Sequence, residues 1–479
     1  MPEETADARG ACPNVVIVMA DDMGYGDVGC YNPESRIPTP NMDRLAAEGR
    51  RFTDAHAPSA ICTPSRYGLL TGRYCWRDPD CGLPVGYYEG SIIDDDRLTM
   101  GEMLGEAGYR SACTGKWHLG MDWPRREDGG TDPDPGDHGI DFTQPFDEGP
   151  TERGFEYFFG IRASLDMPPY CFLENDHTIG IPDREKEPYA AQQRDGLMVP
   201  GWRDEEVGPR VTEAATSFLV DHVSHHPDRP FFLYVPTSAP HRPCTPPEFI
   251  EGRSDAGPRG DMVAEVDWTV GQIDATLDAL GVREDTLFIV TSDNGARAEC
   301  FNGRDYGHSS NGRLRGQKAD IWDGGHREPF IARWPGVIDP GTTCEETICL
   351  TDVMATCATF AGVDLPHDAA EDSFDVSPAL LGESYDGPIR GPLICTSAQG
   401  HTAVRRGPWK LIPKLGSGGF TEPANPDPEP GDPEGQLYNL DEDLSEGRNL
   451  WDERQDIVEE LEGLLQEYRE AKTRSAPAR

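Results

Sequence analysis

The sequence predicts an α/β protein, a large doubly wound, mostly parallel sheet flanked by helices with a smaller C-terminal α+β domain of antiparallel sheet plus helix. Three observations carry this. Short apolar runs alternate with helix-like stretches through the first 363 residues, the alternation stops after Val363, and 479 residues that are 36% hydrophobic suffice for a core of that size. The expected division is 1–363 for the large domain and 364–479 for the small one.

Taken in order, Val15–Ala20 is a buried strand bounded by polar residues. Asn41–Glu48 begins after a proline and reads as a helix. In the next segment Pro64 suits the first turn of a helix and Gly72 its C-terminal stop. Thr99–Glu106 puts Met100, Met103 and Leu104 on one helix face, and Arg110–Thr114 is the second strand. Residues Asp128–Asp137 form an acidic Pro/Gly loop. Its Asp132, Asp134 and Asp137 lack the glycine and glutamate positions of an EF-hand and read as solvated. Val211–His222 and Met262–Leu280 repeat apolar residues every three or four positions, while Phe231–Val235 and Leu287–Thr291 are the third and fourth strands. Beyond Val363 come strand candidates Leu393–Thr396 and Lys410–Pro413 and a second acidic loop, Pro423–Gly435. An amphipathic helix carrying Ile457, Val458, Leu461, Leu464 and Leu465 completes the chain. No repeat of fixed period is present.

The chain carries 86 Asp+Glu against 43 Lys+Arg, a formal net charge of −43, which excludes nucleic acid and anionic membrane as partners. Val15–Ala20 falls far short of the roughly 20 apolar residues that span a bilayer. Glu3, Glu4 and Asp7 stand where a signal peptide would be basic, so the expectation is a cytoplasmic protein. Only residues 116, 186, 318, 410, 414 and 472 are lysine, and acid is in excess. Such a surface suits a salt-adapted prokaryote, since molar salt shortens screening to about 3 Å. Thirteen cysteines without an export signal read mostly as reduced, buried hydrophobes. The pairs Cys75/Cys81 and Cys344/Cys349 lack zinc-site partners, and no Asn-x-Ser/Thr glycosylation acceptor occurs.

The residues at the end of each strand are the informative ones. The four strands run into Asp21-Asp22, Lys116-Trp117-His118, Ala239-Pro240-His241 and Asp293-Asn294. In an open α/β sheet, ligands bind outside the carboxyl ends of the strands. Asp21, Asp22, Asp293 and Asn294 offer oxygen alone and so suit a hard divalent cation, with calcium favoured and magnesium the alternative. Cys62 falls at a helix N-terminus, where the partial positive charge favours an anion, and Arg66 shares its helix face.

The string Cys62-Thr63-Pro64-Ser65-Arg66, with Leu70-Thr71-Gly72-Arg73 after it, resembles the signature of type I, formylglycine-dependent sulfatases. The resemblance is to the arylsulfatase-A-like branch of the alkaline phosphatase superfamily. Matching landmarks are Asp21-Asp22, Gly115-Lys116-x-His118, Ala239-Pro240-His241, Asp293-Asn294-Gly295, Leu314-Arg315-Gly316-Gln317-Lys318 and Gly324-Gly325-His326-Arg327. Trp409-Lys410-Leu411-Ile412 and Gln436-Leu437-Tyr438-Asn439-Leu440 extend the match to nearly the whole chain. The loop Arg162–Ile181, with Ser164-Leu165-Asp166-Met167-Pro168-Pro169-Tyr170, is similar to that of bacterial members, many of which act on sulfated sugars.

The resemblance implies a sulfuric ester hydrolase in which a formylglycine-generating enzyme oxidises Cys62 and the hydrated aldehyde attacks sulfur, leaving a covalent sulfate ester. Metal ligands would be Asp21, Asp22, Cys62, Asp293 and Asn294. Asp293 would accept the nucleophile's proton, His241 with Lys318 would serve the departing alcohol, and His118 would remove the second diol proton and expel sulfate. Arg66 and Lys116 would neutralise sulfate oxygens. His308 is open between contacting substrate and fixing its loop, and His326 reads as structural. The expected substrate is a small-molecule or oligosaccharide sulfate ester, with aromatics in Trp76–Tyr88 and Phe155–Phe172 either lining a sugar site or forming core. Sugar, linkage and oligomeric state are left open. Two alternatives stand beside this reading. One is a phosphonate monoester or phosphodiester hydrolase of the same superfamily, the other a non-catalytic anion- or carbohydrate-binding relative with unconverted Cys62.

Overall fold

Asn14–Ala20 runs through the middle of an eleven-stranded sheet, paired in parallel with Phe231–Pro236 on one side and Thr286–Ser292 on the other. The computed structural model describes residues 12–78, 85–126, 138–189, 193–297 and 306–471. Arg110–Lys116 and then Tyr157–Ile161 extend the parallel block beyond Phe231–Pro236. On the opposite flank Arg327–Arg333 pairs antiparallel with both Thr286–Ser292 and Arg50–His56, and the short strands Thr342–Cys344 and Ile348–Cys349 close that edge.

Both faces of the sheet are covered, so the central strands are apolar without alternation. Val15, Ile17 and Met19 point with Phe232, Tyr234 and Ile289 into a core shared with helices Cys62–Thr71, Met100–Glu106 and Asp352–Ala361. Val16, Val18 and Ala20 point the other way, with Leu233, Phe288 and Val290, toward helices Pro40–Glu48, Val207–His225 and Gly257–Ala279. Thr99 caps its helix in a reciprocal box with Glu102. Gly72 ends the Cys62 helix in the left-handed conformation, φ +63°, its N–H donating to Gly68 O.

The four predicted strands form the contiguous centre of the sheet. Arg50–His56 (RRFTDAH) and Arg327–Arg333 (REPFIAR) escape an apolar-run reading because their buried positions carry charge. Arg327 is satisfied by pairing, with Asp54 at 2.6 Å and with Asp323 at 2.8 Å.

A separate antiparallel sheet, in the order Leu393–Thr396, Thr402–Arg406, Trp409–Ile412 and Gln436–Asn439, packs with helix Gln455–Glu470 through Val458, Leu461 and Leu465. Tyr74 and Cys349 join that same cluster. Pro423–Gly435 contains neither helix nor strand, and Asp128–Asp137 lies outside the described residues. Ten described cysteines stand outside any disulfide, whereas Cys75 is disulfide-bonded, an exception to the reduced state expected. Cys81 lies outside the described residues. No helix among the described residues is long and apolar enough to cross a membrane.

A buried ionic network fastens the second sheet to the first. Lys410 Nζ donates to Asp323 Oδ1 at 2.7 Å and lies 2.8 Å from Glu446 Oε1, and Arg405 reaches Asp54 at 2.7 Å. His56 and His326 meet at 3.0 Å between their Nδ1 atoms, and His326 Nε2 takes a structural place 3.1 Å from Ile321 O. His56, Asp323 and His326 are close enough to hold a metal, but Lys410, Arg327 and Arg405 already fill their surroundings with positive charge. Lys410→Met leaves Asp323 and Glu446 buried without their cation and should cost roughly 3–5 kcal/mol. Urea unfolding measures this, and a loss below about 1 kcal/mol would contradict the fastening role.

Candidate active site

Four parallel strands end at the same edge and turn their next residues inward. Asp21 comes directly after Asn14–Ala20, with its N–H donating to Ala239 O at 3.0 Å; that bond ties the Asp21 and His241 loops together. Asp22 and His118 adopt left-handed backbones, φ +69° and +59°, which swing their side chains off the strand direction. Gly115 is required where it stands: at φ +142° a β-carbon would lie 1.9 Å from Pro236 O. Its absence lets the Lys116 strand press against the strand that leads to His241.

Cys62 opens its helix, as the position of Pro64 predicted, and lies at the centre of the constellation. Its Sγ is 3.3 Å from Asp21 Oδ1, 3.9 Å from Asp22 Oδ1 and 3.2 Å from Lys318 Nζ. Lys318 Nζ also donates to Asp22 Oδ1 at 2.5 Å, and Lys116 Nζ to Asp21 Oδ2 at 2.7 Å. Arg66 sends Nε and Nη2 to Asp293 Oδ2 at 2.9 and 2.6 Å, while Asp293 Oδ1 accepts the Asp22 N–H at 3.1 Å. Three buried carboxylates thus face three buried cations.

These contacts decide protonation. Burial alone would raise Asp21 and Asp22, yet Lys116 and Lys318 with their neighbours hold both below the usual carboxylate range. Asp293 goes the other way, because burial outweighs Arg66 and Asp21 repels it. Burial, then Asp293, push the Cys62 thiol up. Burial pulls His118 well below the ordinary imidazole value, helped by Lys116, and burial with Lys318 lowers His241, so both rings are neutral. His118 Nε2 faces Val85 O at 3.2 Å and His241 Nδ1 faces Arg242 O at 2.8 Å. A carbonyl only accepts, so these nitrogens carry the protons. His118 Nδ1, buried without a partner, and His241 Nε2, 3.8 Å from Asp22, are left with lone pairs.

The ligand atoms of Asp21, Asp22, Cys62 and His241 lie within 4.8 Å of one another. Asn294 Nδ2 donates to Asp22 at 2.8 Å, and its Oδ1 is buried with no partner. An orphaned amide oxygen beside clustered carboxylates fits a hard cation. His241 enters this group from outside the predicted ligand set, whereas Asp293 is tied to Arg66.

His308 has Nε2 2.8 Å from Asp27 Oδ1, and its Nδ1 accepts the Arg36 N–H, contacts that suit the loop-fixing reading. Three neighbours were not among the predicted site residues, although Ser164 and Asp166 belong to the loop Arg162–Ile181 that the sequence singled out. Glu328 stands behind the cluster with both oxygens unpartnered; burial, then Asp293 and Asp22, raise it into the neutral form. Ser164 Oγ is buried and unpartnered, and Asp166 sits 3.9 Å from His241 Nδ1. Ser164 and Asp166 lie just past the fifth parallel strand, Tyr157–Ile161, so recognising that strand would have exposed them by the same strand-end argument.

Comparison with known proteins agrees over most of the chain. The family profile described as Sulfatase matches residues 13–363. An N-acetylgalactosamine-6-O-sulfatase of Bacteroides thetaiotaomicron is 35% identical over 501 aligned positions, covering 95% of this chain and 92% of that protein. Human arylsulfatase A is 36% identical over 390 positions, covering 77% of this chain and 68% of its own length. A solved Bacteroides thetaiotaomicron structure from glycosaminoglycan metabolism, described as "6S-sulf", superposes with a TM-score of 0.83 at 32% identity, covering 96% of this chain and 99% of that one.

A cation that binds the folded site raises the melting temperature by mass action. Calcium added to chelator-treated protein should raise it more than equimolar magnesium, and Asn294→Ala should shrink the calcium shift. Equal shifts for both ions would remove the preference for calcium, and an unchanged Asn294→Ala response would remove the amide from the ligand set.

Proposed function

The chain belongs to the sulfatase family, in its arylsulfatase-A-like branch, and is a sulfuric ester hydrolase; we propose that its substrate is a sulfated carbohydrate, cleaved to alcohol and inorganic sulfate through residue 62. The names of the relatives support a sugar substrate, and the observation that carries the site assignment is the cluster of Cys62 Sγ, Lys318 Nζ and the Asp21–Asp22 pair.

A thiol whose pKa is pushed up by burial and carboxylates is a poor nucleophile. That supports oxidation of Cys62 to formylglycine by a maturation enzyme, giving a hydrated aldehyde whose oxygen forms the covalent sulfate ester and whose collapse releases sulfate. A divalent cation held by Asp21, Asp22 and Asn294, together with Asp293, would supply positive charge that acidifies and fixes that oxygen.

The chain's own residues then divide the proton work. Asp293, raised by burial, receives the proton of the attacking hydroxyl. Lys318 is held protonated by Asp22 despite its burial, which suits it to donate to the departing alcohol. His241, with its proton committed to Arg242 O, orients that alcohol from Nε2. His118, with its proton committed to Val85 O, offers the Nδ1 lone pair that takes the second hydroxyl proton and drives sulfate out. Arg66 and Lys116 hold Asp293 and Asp21 in place, and their remaining charge faces the sulfate oxygens.

Cys62→Ala should lower kcat on 4-nitrophenyl sulfate by roughly 10⁴-fold or more with the fold intact. Mass spectrometry of the native peptide should find residue 62 lighter than cysteine; a wholly thiol form defeats the mechanism. Faster turnover of a nitrophenyl phosphodiester than of the sulfate would overturn the substrate class. Activity should also climb from low toward molar salt as self-repulsion by the −43 charge is screened, and a steady fall would count against salt adaptation.

A further inference from the structure

We propose that Arg162 forms a second anion-binding point beside residue 62, so that the substrate carries, besides the scissile sulfate, another anionic group, a second sulfate or a carboxylate. The inference rests on the sulfate-ester reading and names the substrate more narrowly.

Arg162 comes directly after Tyr157–Ile161, the strand that pairs in parallel with Arg110–Lys116, and the His118 N–H donates to Arg162 O at 2.7 Å. The two side chains are anchored on consecutive carbonyls. His118 Nε2 uses Val85 O, and Arg162 Nη1 donates to Gly86 O at 2.7 Å. Arg162 Nε donates to Pro168 O at 3.2 Å, which leaves Nη2 buried with no partner. Arg162 therefore stands close enough to the His118 ring to act on its charge, with one nitrogen of its fork unused.

Its guanidinium lies 5.9 Å from the centre of the Tyr88 ring, and its lack of a carboxylate partner sets it apart among the buried arginines of the described residues. The buried guanidiniums of Arg66, Arg259, Arg327 and Arg390 each pair with an aspartate, Asp293, Asp27, Asp54 and Asp352, and each is raised in pKa despite burial. Arg162 is 2% exposed and has no ion pair among the described residues. Burial, with repulsion from Arg194, brings it down to about 10. The nearby Asp166 is engaged by Arg242 at 3.5 Å. Glu89 and Asp166 lie near enough to favour its charge, yet neither forms an ion pair with it. A buried unpaired cation is costly unless a ligand brings the counter-charge. A planar fork with a free N–H suits the oxygens of a sulfate or carboxylate.

Isothermal titration of the Cys62→Ala protein reads this without turnover. The probes are N-acetylgalactosamine 6-sulfate, the same sugar with a second sulfate, and its disaccharide with a uronate. At least one doubly charged sugar should bind about tenfold tighter than the singly charged one. Adding Arg162→Gln should erase that advantage, and Arg162→Lys, which keeps charge but not the fork, should retain part of it. Which probe gains identifies sulfate or carboxylate as the recognised group. No advantage for either doubly charged sugar, or an equal loss on all three in Arg162→Gln, overturns the proposal. Failure of the unsubstituted protein to cleave any sulfate ester would instead sink the hydrolase reading, an outcome distinct from the binding result.

Discussion

Asp21, Asp22 and Asp293 crowd one another in a space closed to water, and the rest of the molecule is arranged to make that tolerable. Each carboxylate has its own cation: Lys116 for Asp21, Lys318 for Asp22, Arg66 for Asp293. The three cations arrive on three different pieces of chain, a strand end, a loop and a helix. The sheet register, the left-handed turns at Asp22 and His118, and the glycine at 115 all serve to bring those pieces to one point. A site balanced in this way becomes net positive when a divalent cation enters, inside a protein whose sign is otherwise strongly negative.

The second sheet contributes to this balance without touching Cys62. The segment that delivers Lys318 is gripped from the C-terminal side along its length. Ala398 N–H donates to Ala319 O, Ile321 N–H to Ser417 O, and Asp320 accepts from Phe420 and Thr421. Arg315 lies over Trp322 and donates to Glu446 O. Together with the Lys410–Asp323–Glu446 network, these bonds fix the ammonium that faces Asp22 and Cys62. The small sheet is best understood as a clamp on the loop that carries Lys318.

Much of this was legible in the residues because the centre of the sheet is buried on both faces, and such strands announce themselves as apolar runs. Val15–Ala20 and Leu287–Thr291 lie inside the observed strands, and the Asp21-Asp22 and Asp293-Asn294 pairs come directly after them. The flanking strands Arg50–His56 and Arg327–Arg333 were illegible for a physical reason: Asp54 and Arg327 pair with each other, and Asp54 with Arg405, across long stretches of sequence, which no local pattern records. The same limit hid the distinction between Arg66 and Arg162. Both are buried arginines, and only the fold reveals that one is paired with an aspartate while the other has no ion pair among the described residues.

The scarcity of lysine has a practical side. Of the five described lysines, Lys116, Lys318 and Lys410 are buried in ion pairs, and Lys186 is largely covered and bound to Asp204. Lys414 alone among them stands exposed. Reagents that acylate amines therefore meet almost none of the folded surface, and those lysines whose modification would matter most are the ones they cannot reach. Amine coupling to a support or a dye would attach this protein through very few points.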